Sequence, residues 1–221
     1  MPRRQRRRAE ENLPLTAEVL VSAYVQGVFP MDVAGRIRWF SPDPRAVLPL
    51  EAFHLSQTLR QTMRGGGFEI RVDGDFERVM RLCAERSEGT WISEEILGAY
   101  CRLHAMGLAH SVEAWRRGEL AGGLYGVAIG GAFFGESMFH RVRDASKVAL
   151  AALVERLRAR GYLLLDIQYM TAHLRRFGAV EIPRAEYLRR LEEALGLNCT
   201  FDGDRETSDV RSSGPSRSPV P

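Results

Sequence analysis

The hydrophobic pattern changes its period near residue 109. Before this point, apolar positions spaced three and four residues apart predict four helices. These predicted helices cover residues 15–27, 56–64, 75–86 and 93–106. From residue 109 to residue 139, apolar and polar positions alternate around Arg-Gly-Glu and Gly-Gly turns. This alternation predicts three antiparallel strands joined by tight turns.

The second half of the chain returns to helical spacing around one apolar strand. We predict a helix from Ala145 to Arg160, a buried strand over 162–169, a short helix after Thr171 and a last helix from Arg184 to Leu195. A strand, a helix and a second strand over 132–169 require a parallel pair with a right-handed crossover. The fold class is therefore α+β, a mixed sheet flanked by helices in the style of N-acyltransferases.

Two composition shifts divide the 221-residue chain. Prolines at positions 42, 44 and 49 restrict the backbone and predict a stiff extended connection. We therefore predict a small N-terminal domain over 9–52 and a main domain over 53–197, which would carry the chemistry. Residues 1–8 form a basic arm, and residues 198–221 are rich in Ser, Pro, Asp and Arg. Both ends are predicted to be disordered.

The net charge of +3 is concentrated in the basic arm, which holds five arginines and no acid. The rest of the chain is slightly acidic, so affinity for nucleic acid must come from the arm and from local patches. The three cysteines and five histidines lack the spacing of a disulfide framework or a metal site. The longest apolar stretch, 124–135, is too short to cross a bilayer. These features predict a soluble intracellular protein without a metal.

Polar residues inside apolar strands are the candidate chemical groups. In LLLDIQYM, alternation places Asp166 and Gln168 on one face at the carboxyl end of a buried strand. They could satisfy nearby backbone groups or form a ligand site. Glu136, within GGAFFGESMF, must reach water or meet a cation, because burial of a lone charge is costly. An arginine of the chain or a ligand could supply that cation.

The crossover connection FHRVRDASK contains no glycine. A coenzyme A enzyme of this topology needs a glycine-rich turn there, so that backbone amides can hold a pyrophosphate. We therefore expect an acyl donor other than coenzyme A. Lys147, the only lysine, is expected to contact a phosphate or a carboxylate. Aromatic residues near predicted loops could either pack in the core or stack on a nucleobase; they are Tyr24, Phe29, Trp39, Phe40 and Trp91.

Eight segments in order resemble the leucyl/phenylalanyl-tRNA–protein transferase family. They are AYVQGVFPM, WFSPDPRAVLPL, TWI, GLAHSVEAW, GGLYGVAIGGAFFGESMF, DASKVALAALVERL, LLLDIQ and GAVEIPRAEYL. The resemblance covers residues 13–191. It implies a small N-terminal domain attached to an acetyltransferase-like (GNAT-like) catalytic domain.

The same resemblance implies an activity in the bacterial N-degron pathway. The family transfers leucine or phenylalanine from aminoacyl-tRNA to the α-amine of proteins that begin with Arg or Lys, which marks them for ClpS-dependent proteolysis. Methionine is a further candidate donor. The resemblance implies a cytoplasmic enzyme that uses no cofactor and no coenzyme A and binds no membrane.

The resemblance also assigns roles to residues. Asp166 and Gln168 match the catalytic pair, and Glu136 matches the residue near the basic N-terminus of the acceptor. Tyr24 and Trp91 match residues near the terminal adenosine, and Met31 stands where some members carry Trp. The apolar donor pocket corresponds to Leu124, Phe133, Met138, Leu150 and Leu165. Phe133 and Glu136 alternate to opposite faces, so both can reach the site only if Gly135 lies in a bulge.

As a mechanism, we expect Asp166 to orient Gln168, whose side-chain carbonyl accepts a proton from the attacking amine. Two alternatives remain at this point. One is an acyltransferase with another carrier, such as the tRNA-dependent peptidoglycan enzymes. The other is a degron-binding or RNA-binding adaptor without enzymatic activity, which the basic arm and the C-terminal tail would favour.

Overall fold

The computed structural model describes residues 14–87 and 89–202. The predicted basic arm and the part of the predicted tail beyond residue 202 lie outside these ranges. Seven helices are present among the described residues: α1 Ala17–Tyr24, α2 Gln57–Gly65, α3 Phe76–Ala84, α4 Glu94–Ala105, α5 Ala145–Ala159, α6 Ala172–Arg175 and α7 Arg184–Leu195. All the predicted helices are confirmed within a few residues at each end. Side chains of Thr16, Ser56 and Thr171 cap α1, α2 and α6 by accepting hydrogen bonds from backbone N–H groups.

The strands form one small and one large sheet. Their bounds are β1 Phe29–Asp32, β2 Ile37–Phe40, β3 Arg45–Val47, β4 Glu69–Val72, β5 Ala109–Arg116, β6 Glu119–Ile129, β7 Ala132–His140, β8 Leu164–Gln168 and β9 Val180–Ile182. β1 and β2 pair as a hairpin. The large sheet has seven strands in the order β4-β5-β6-β7-β8-β3-β9. The predicted meander, β5-β6-β7, is confirmed as antiparallel, and the predicted crossover pair, β7 and β8, is parallel.

Hydrophobic clusters cover both faces of the seven-stranded sheet. Side chains from α1, α3, α4 and α7 contribute to one cluster, and side chains from α2 and α5 contribute to the other. The central strands are therefore buried on both faces, as their nearly continuous apolar sequence requires. The α+β class, with a mixed sheet flanked by helices, is confirmed; the acetyltransferase-like assignment stays a prediction.

The N-terminal strands were not predicted. β3 lies in the large sheet between β8 and β9, although the sequence analysis assigned residues 45–47 to the small N-terminal domain. The extended connection thus contributes a strand to the main sheet. A three-residue strand between prolines is too short to show alternation, which explains why it was missed.

The predicted start of the disordered tail at residue 198 needs correction. Phe201 is only 3% exposed, and its ring stacks on His110 and Phe133. Arg156 Nε donates a hydrogen bond to the Phe201 carbonyl oxygen at 2.9 Å. One aromatic side chain therefore anchors a segment whose polar composition predicted a loose tail. Within residues 14–87 and 89–202, no helix is long and apolar enough to cross a membrane.

Candidate active site

A cavity of about 600 Å³ opens where β7 and β8 separate. The last paired residues of these two strands are Phe134 and Asp166. Beyond this pair, β7 continues along β6 while β8 turns away beside β3. The cavity thus lies at the carboxyl end of a buried parallel strand, where ligands of α/β sheets commonly bind. Eight of the predicted site residues line it: Met31, Trp91, Leu124, Glu136, Met138, Leu150, Leu165 and Gln168.

A β-bulge aims Glu136 at this cavity. Tyr125 of β6 pairs with Ser137 of β7, but the next residue, Gly126, pairs with Gly135. Glu136 is therefore the extra residue on β7, and the bulge changes the alternation at this point. The predicted bulge beside Gly135 is confirmed. Phe133, three residues earlier, packs in the same hydrophobic cluster as the cavity-lining leucines, whereas Glu136 contacts Tyr24 and Tyr100 of the other cluster.

Asp166 is fully buried and surrounded by donors. Arg45 donates from Nε to Asp166 Oδ1 at 2.9 Å and from Nη2 to Oδ2 at 2.6 Å. Tyr187 donates its hydroxyl to Oδ2 at 2.8 Å, and the backbone N–H of Gln168 donates to Oδ1 at 2.9 Å. Two parallel bonds to a guanidinium are the strongest common pairing of a carboxylate. Asp166 does not line the cavity and acts on it only through its neighbours.

Gln168 presents its side chain to the cavity from an uncommon backbone conformation. Its φ is +62°, in the left-handed region that non-glycine residues rarely adopt. The backbone N–H of Tyr169 donates to the Ile167 carbonyl oxygen at 2.7 Å, which closes a three-residue turn around Gln168. Its side-chain Nε2 donates to Glu136 Oε1 at 2.8 Å. Among the described residues no group donates to Gln168 Oε1, which can therefore accept from a substrate.

Glu136 has only neutral hydrogen-bond donors. Tyr24 donates its hydroxyl to Oε1 at 2.7 Å, and Tyr100 donates to Oε2 at 3.4 Å. The two tyrosine hydroxyls also hydrogen-bond each other. Burial raises the pKa of Glu136 to about 7, although the hydrogen bonds from Tyr24 and Gln168 act in the opposite direction. Within the part of the chain that the structure describes, Glu136 forms no salt bridge.

The apolar part of the cavity contains more residues than the sequence predicted. Leu153, Ile167 and Leu174 join the predicted leucines and Met138. Leu153 follows Leu150 by nearly one turn of α5, so helical spacing could have indicated it. A pocket lined by these flexible apolar side chains suits a branched aliphatic or an aromatic side chain.

Cationic side chains occupy another part of the cavity wall. The sequence analysis singled out only Lys147 among them; the set is Arg86, His140, Arg143, Lys147 and His173. Lys147 Nζ lies 2.5 Å from Asp144 Oδ1, so its contact in the structure is with a carboxylate. Burial lowers the pKa of His173, and the nearby Lys147 acts in the same direction.

Three predicted site residues do not line the cavity. Tyr24 is fully buried and reaches the site through Glu136. Phe133 is also fully buried and packs against Phe201 behind the pocket. Asp166 is the third. Neighbouring side chains cover Tyr24 and Phe133 completely in this structure, so their contact with substrate stays a prediction.

Two other predicted residues, Trp91 and Met31, line the cavity from neighbouring segments. Trp91 lines the cavity, and its carbonyl oxygen accepts a hydrogen bond from Asp32 N at 3.2 Å. This bond ties the loop of Trp91 to β1, whose Met31 also lines the cavity. An aromatic ring and a thioether therefore flank one side of the opening.

Sequence reasoning missed the two buried partners of Asp166. Arg45 is 1% exposed and Tyr187 is fully buried. One signal pointed to such a partner: a carboxylate inside an apolar strand needs a cation or several donors. Because the chain contains many arginines, the sequence did not indicate which of them pairs with Asp166.

One further cluster bears on the prediction of no metal. Side chains of Asp73, His110 and Asp202 approach each other closely enough to hold an ion. His110 Nδ1 lies 2.7 Å from Asp73 Oδ2, which is an ordinary hydrogen-bond length. We interpret the contact as a hydrogen bond, and the absence of a metal stays a prediction.

Comparison with known proteins identifies the family. The profile described as leucyl/phenylalanyl-tRNA protein transferase matches residues 47–192, and the profile of the N-terminal domain of that transferase matches residues 14–43. The chain belongs to the leucyl/phenylalanyl-tRNA–protein transferase family. The protein is therefore an aminoacyltransferase.

Individual leucyl/phenylalanyl-tRNA–protein transferases are similar over most of their length. The one from Herpetosiphon aurantiacus is 57% identical over 188 residues, which cover 85% of this chain and 98% of that protein. The one from Rubrobacter xylanophilus is 60% identical over 189 residues, with the same two coverages. Among solved structures, a DUF2156 domain from Agrobacterium fabrum has 15% identity and a TM-score of 0.40, covering 82% of this chain and 60% of that one. That likeness is too low to support an argument.

Proposed function

We propose that this aminoacyltransferase moves leucine or phenylalanine, and also methionine, from aminoacyl-tRNA to the α-amine of proteins that begin with Arg or Lys. One observation carries the proposal: an apolar pocket, an accepting amide oxygen and a carboxylate without a cation share one cavity. The pocket suits the donor side chain, Gln168 Oε1 suits the attacking amine, and Glu136 suits the basic side chain of the acceptor.

The acceptor preference rests on Glu136. Its hydrogen-bond donors among the described residues are neutral, and none of these residues forms a salt bridge with it. A guanidinium or an ammonium of the acceptor would supply a cationic partner inside the cavity. Hydrogen bonds between charged partners are about twice as strong as neutral ones. An acceptor with an acidic or apolar first residue would leave Glu136 without this partner.

The reaction needs alignment more than strong acid or base catalysis. The amine nitrogen forms a bond to the aminoacyl carbonyl carbon, and the ester bond to the ribose oxygen breaks. The α-amine titrates near pH 7.7 to 8.0, roughly, so a useful fraction is neutral at pH 7. Gln168 Oε1 accepts a hydrogen bond from this amine, and the amine proton passes to the leaving ribose oxygen, directly or through water, which gives the free ribose hydroxyl. Good orientation alone can contribute about 7 to 11 kcal/mol.

The donor side of the proposal rests on the cationic wall and on Trp91 and Met31. Lysine and arginine side chains would attract RNA phosphates, and Trp91 could stack on the terminal adenine. Met31 packs but gives a weaker stacking surface than Trp would. Coenzyme A is a poor alternative: the residue before α5 is Asp144, in a left-handed conformation with φ of +67°. Its carboxylate would repel a pyrophosphate at this helix N-terminus.

Two coarser assignments follow from the same reasoning. We interpret the unit β7-α5-β8, with its diverging parallel strands, as the acetyltransferase-like part of the fold. Because aminoacyl-tRNA is made in the cytoplasm, we propose that the protein acts there.

The test is a transfer assay with labelled leucyl-tRNA and matched peptides. A peptide that begins with Arg should become labelled, and the same peptide with Asp in first place should remain unlabelled. Transfer to a cell-wall precursor instead would favour the peptidoglycan class of enzyme. Binding of the Arg peptide or of the tRNA without any transfer would favour the adaptor. Either result would contradict the proposal.

A further inference from the structure

We propose that Arg45, together with Tyr187, is a positioning residue that fixes the left-handed turn at Gln168 and so aims the amide carbonyl at the acceptor amine. This inference rests on the proposed function, because it assigns the source of alignment in that reaction. Neither residue lines the cavity, so the effect must pass through Asp166.

Three nitrogens of the Arg45 guanidinium group donate hydrogen bonds to buried acceptors. Nε and Nη2 bind the two oxygens of Asp166, and Nη1 donates to the Gly27 carbonyl oxygen at 3.0 Å. The guanidinium carbon lies 4.9 Å from the ring centre of Phe29 and 4.4 Å from that of Tyr187. The plane is therefore held at its edges by hydrogen bonds and on its faces by aromatic rings.

Asp166 transmits this fixed position to Gln168 through one bond. Its Oδ1 accepts from Arg45 Nε and from the backbone N–H of Gln168. A left-handed non-glycine residue persists only where the surroundings specify it strongly. The Asp166 carboxylate supplies this constraint, because its orientation determines the direction of the Gln168 N–H group.

Gly27 supports the same arrangement from the segment after α1. Its φ is +73°, and a Cβ atom there would lie only 2.8 Å from Tyr187 Cε1. The absence of a side chain lets the Gly27 carbonyl reach Arg45 while Tyr187 packs directly against this backbone. Three distant segments of the chain thus converge on Asp166.

The first experiment compares kinetic constants of Arg45→Lys with those of the native enzyme. A lysine keeps the charge but cannot bind both carboxylate oxygens in one plane. We expect kcat to fall by about 100-fold, the effect of roughly 1 Å of misplacement. The KM for leucyl-tRNA should stay unchanged, because neither the cationic wall nor the apolar pocket is touched. Arg156→Lys is the matched control: this arginine binds the Phe201 carbonyl on another part of the fold, and kcat should not change.

The decisive version repeats Arg45→Lys in a Gln168→Ala background. If Arg45 acts through the Gln168 carbonyl, adding Arg45→Lys to Gln168→Ala should not lower kcat further, because the carbonyl that Arg45 positions is already missing. A merely structural arginine would lower kcat by the same factor in both backgrounds, which would overturn the inference.

Tyr187→Phe keeps the test possible if Arg45→Lys fails to fold. It removes one hydroxyl donor to Asp166 and leaves the ring in place. We expect a loss in kcat of about tenfold, equivalent to one hydrogen bond to a charged group, and again none in the Gln168→Ala background. A native kcat for Tyr187→Phe, or an equal loss in both backgrounds, would contradict the inference. Failure of the native enzyme to transfer leucine would instead contradict the proposed function itself.

Discussion

The two carboxylates beside Gln168 have opposite environments. Asp166 is sealed from solvent and receives both arms of a guanidinium. Glu136 lines the cavity, receives only neutral donors, and has its pKa raised to about 7 by burial. Asp166 is thus paired with a cation within the fold, whereas Glu136 forms no salt bridge among the described residues and faces a cavity from which a substrate could supply a cation. The difference separates the residue that positions the amide from the residue that selects the acceptor.

The largest expected effect comes from breaking the buried ion pair between Asp166 and Arg45. Asp166→Asn keeps the shape of the side chain but leaves the Arg45 guanidinium buried without a negative partner. Loss of one member of a buried pair typically costs about 3 to 5 kcal/mol of unfolding free energy. Urea denaturation should show this loss. A variant as stable as the native protein would contradict the pairing.

Substitution of Glu136, in contrast, should lower activity without lowering stability. Glu136→Gln removes the charge that we assign to the acceptor, and kcat/KM for an Arg-starting peptide should fall by about 10- to 150-fold, corresponding to a charged hydrogen bond of roughly 1.5 to 3 kcal/mol. Unfolding free energy at pH 8 should not fall, because no protein cation loses its partner. The KM for leucyl-tRNA serves as the internal control and should not change.

The stability of the protein should depend on pH through Glu136. The pKa of Glu136 in the folded protein is raised from 4.5 to about 7. Its favourable contribution is therefore complete below pH 4.5 and is lost as the pH rises through 7. Between pH 5 and pH 8, the unfolding free energy of the native protein should decrease relative to that of Glu136→Gln. A relative increase over this interval would mean that an unseen cation stabilises the ionised form.

The smallest expected effect is that of Tyr24→Phe. The Tyr24 hydroxyl lowers the pKa of Glu136 by donating a hydrogen bond to it, so its removal should raise that pKa further. The pH at which the stability difference from Glu136→Gln stops changing should move upward, because that limit is set by the pKa of Glu136 in the folded protein. Denaturation of this variant and of Tyr24→Phe combined with Glu136→Gln at several pH values measures the shift. An unchanged profile would exclude Tyr24 from the environment of Glu136.

Sequence patterns predicted the strands around this site better than the buried side chains that stabilise it. The parallel pair and the shared face of Asp166 and Gln168 follow from strand alternation, whereas the bulge at Glu136 was expected only from the roles that the family resemblance implies for Phe133 and Glu136. Arg45 was not predictable, since it lies in a three-residue strand of a chain rich in arginine. Phe201 was missed because a single aromatic residue carries little weight in a polar segment.

The most direct test of the central claim compares two acceptors that differ only in charge. Peptides that begin with arginine or with citrulline, its neutral analogue of nearly equal shape, would be offered with labelled leucyl-tRNA. The native enzyme should prefer arginine by at least about tenfold in kcat/KM, as a charged hydrogen bond requires, and Glu136→Gln should lose this preference. Equal use of both peptides by the native enzyme, or the same preference in the variant, would contradict the claim that Glu136 recognises the positive charge of the acceptor's first residue.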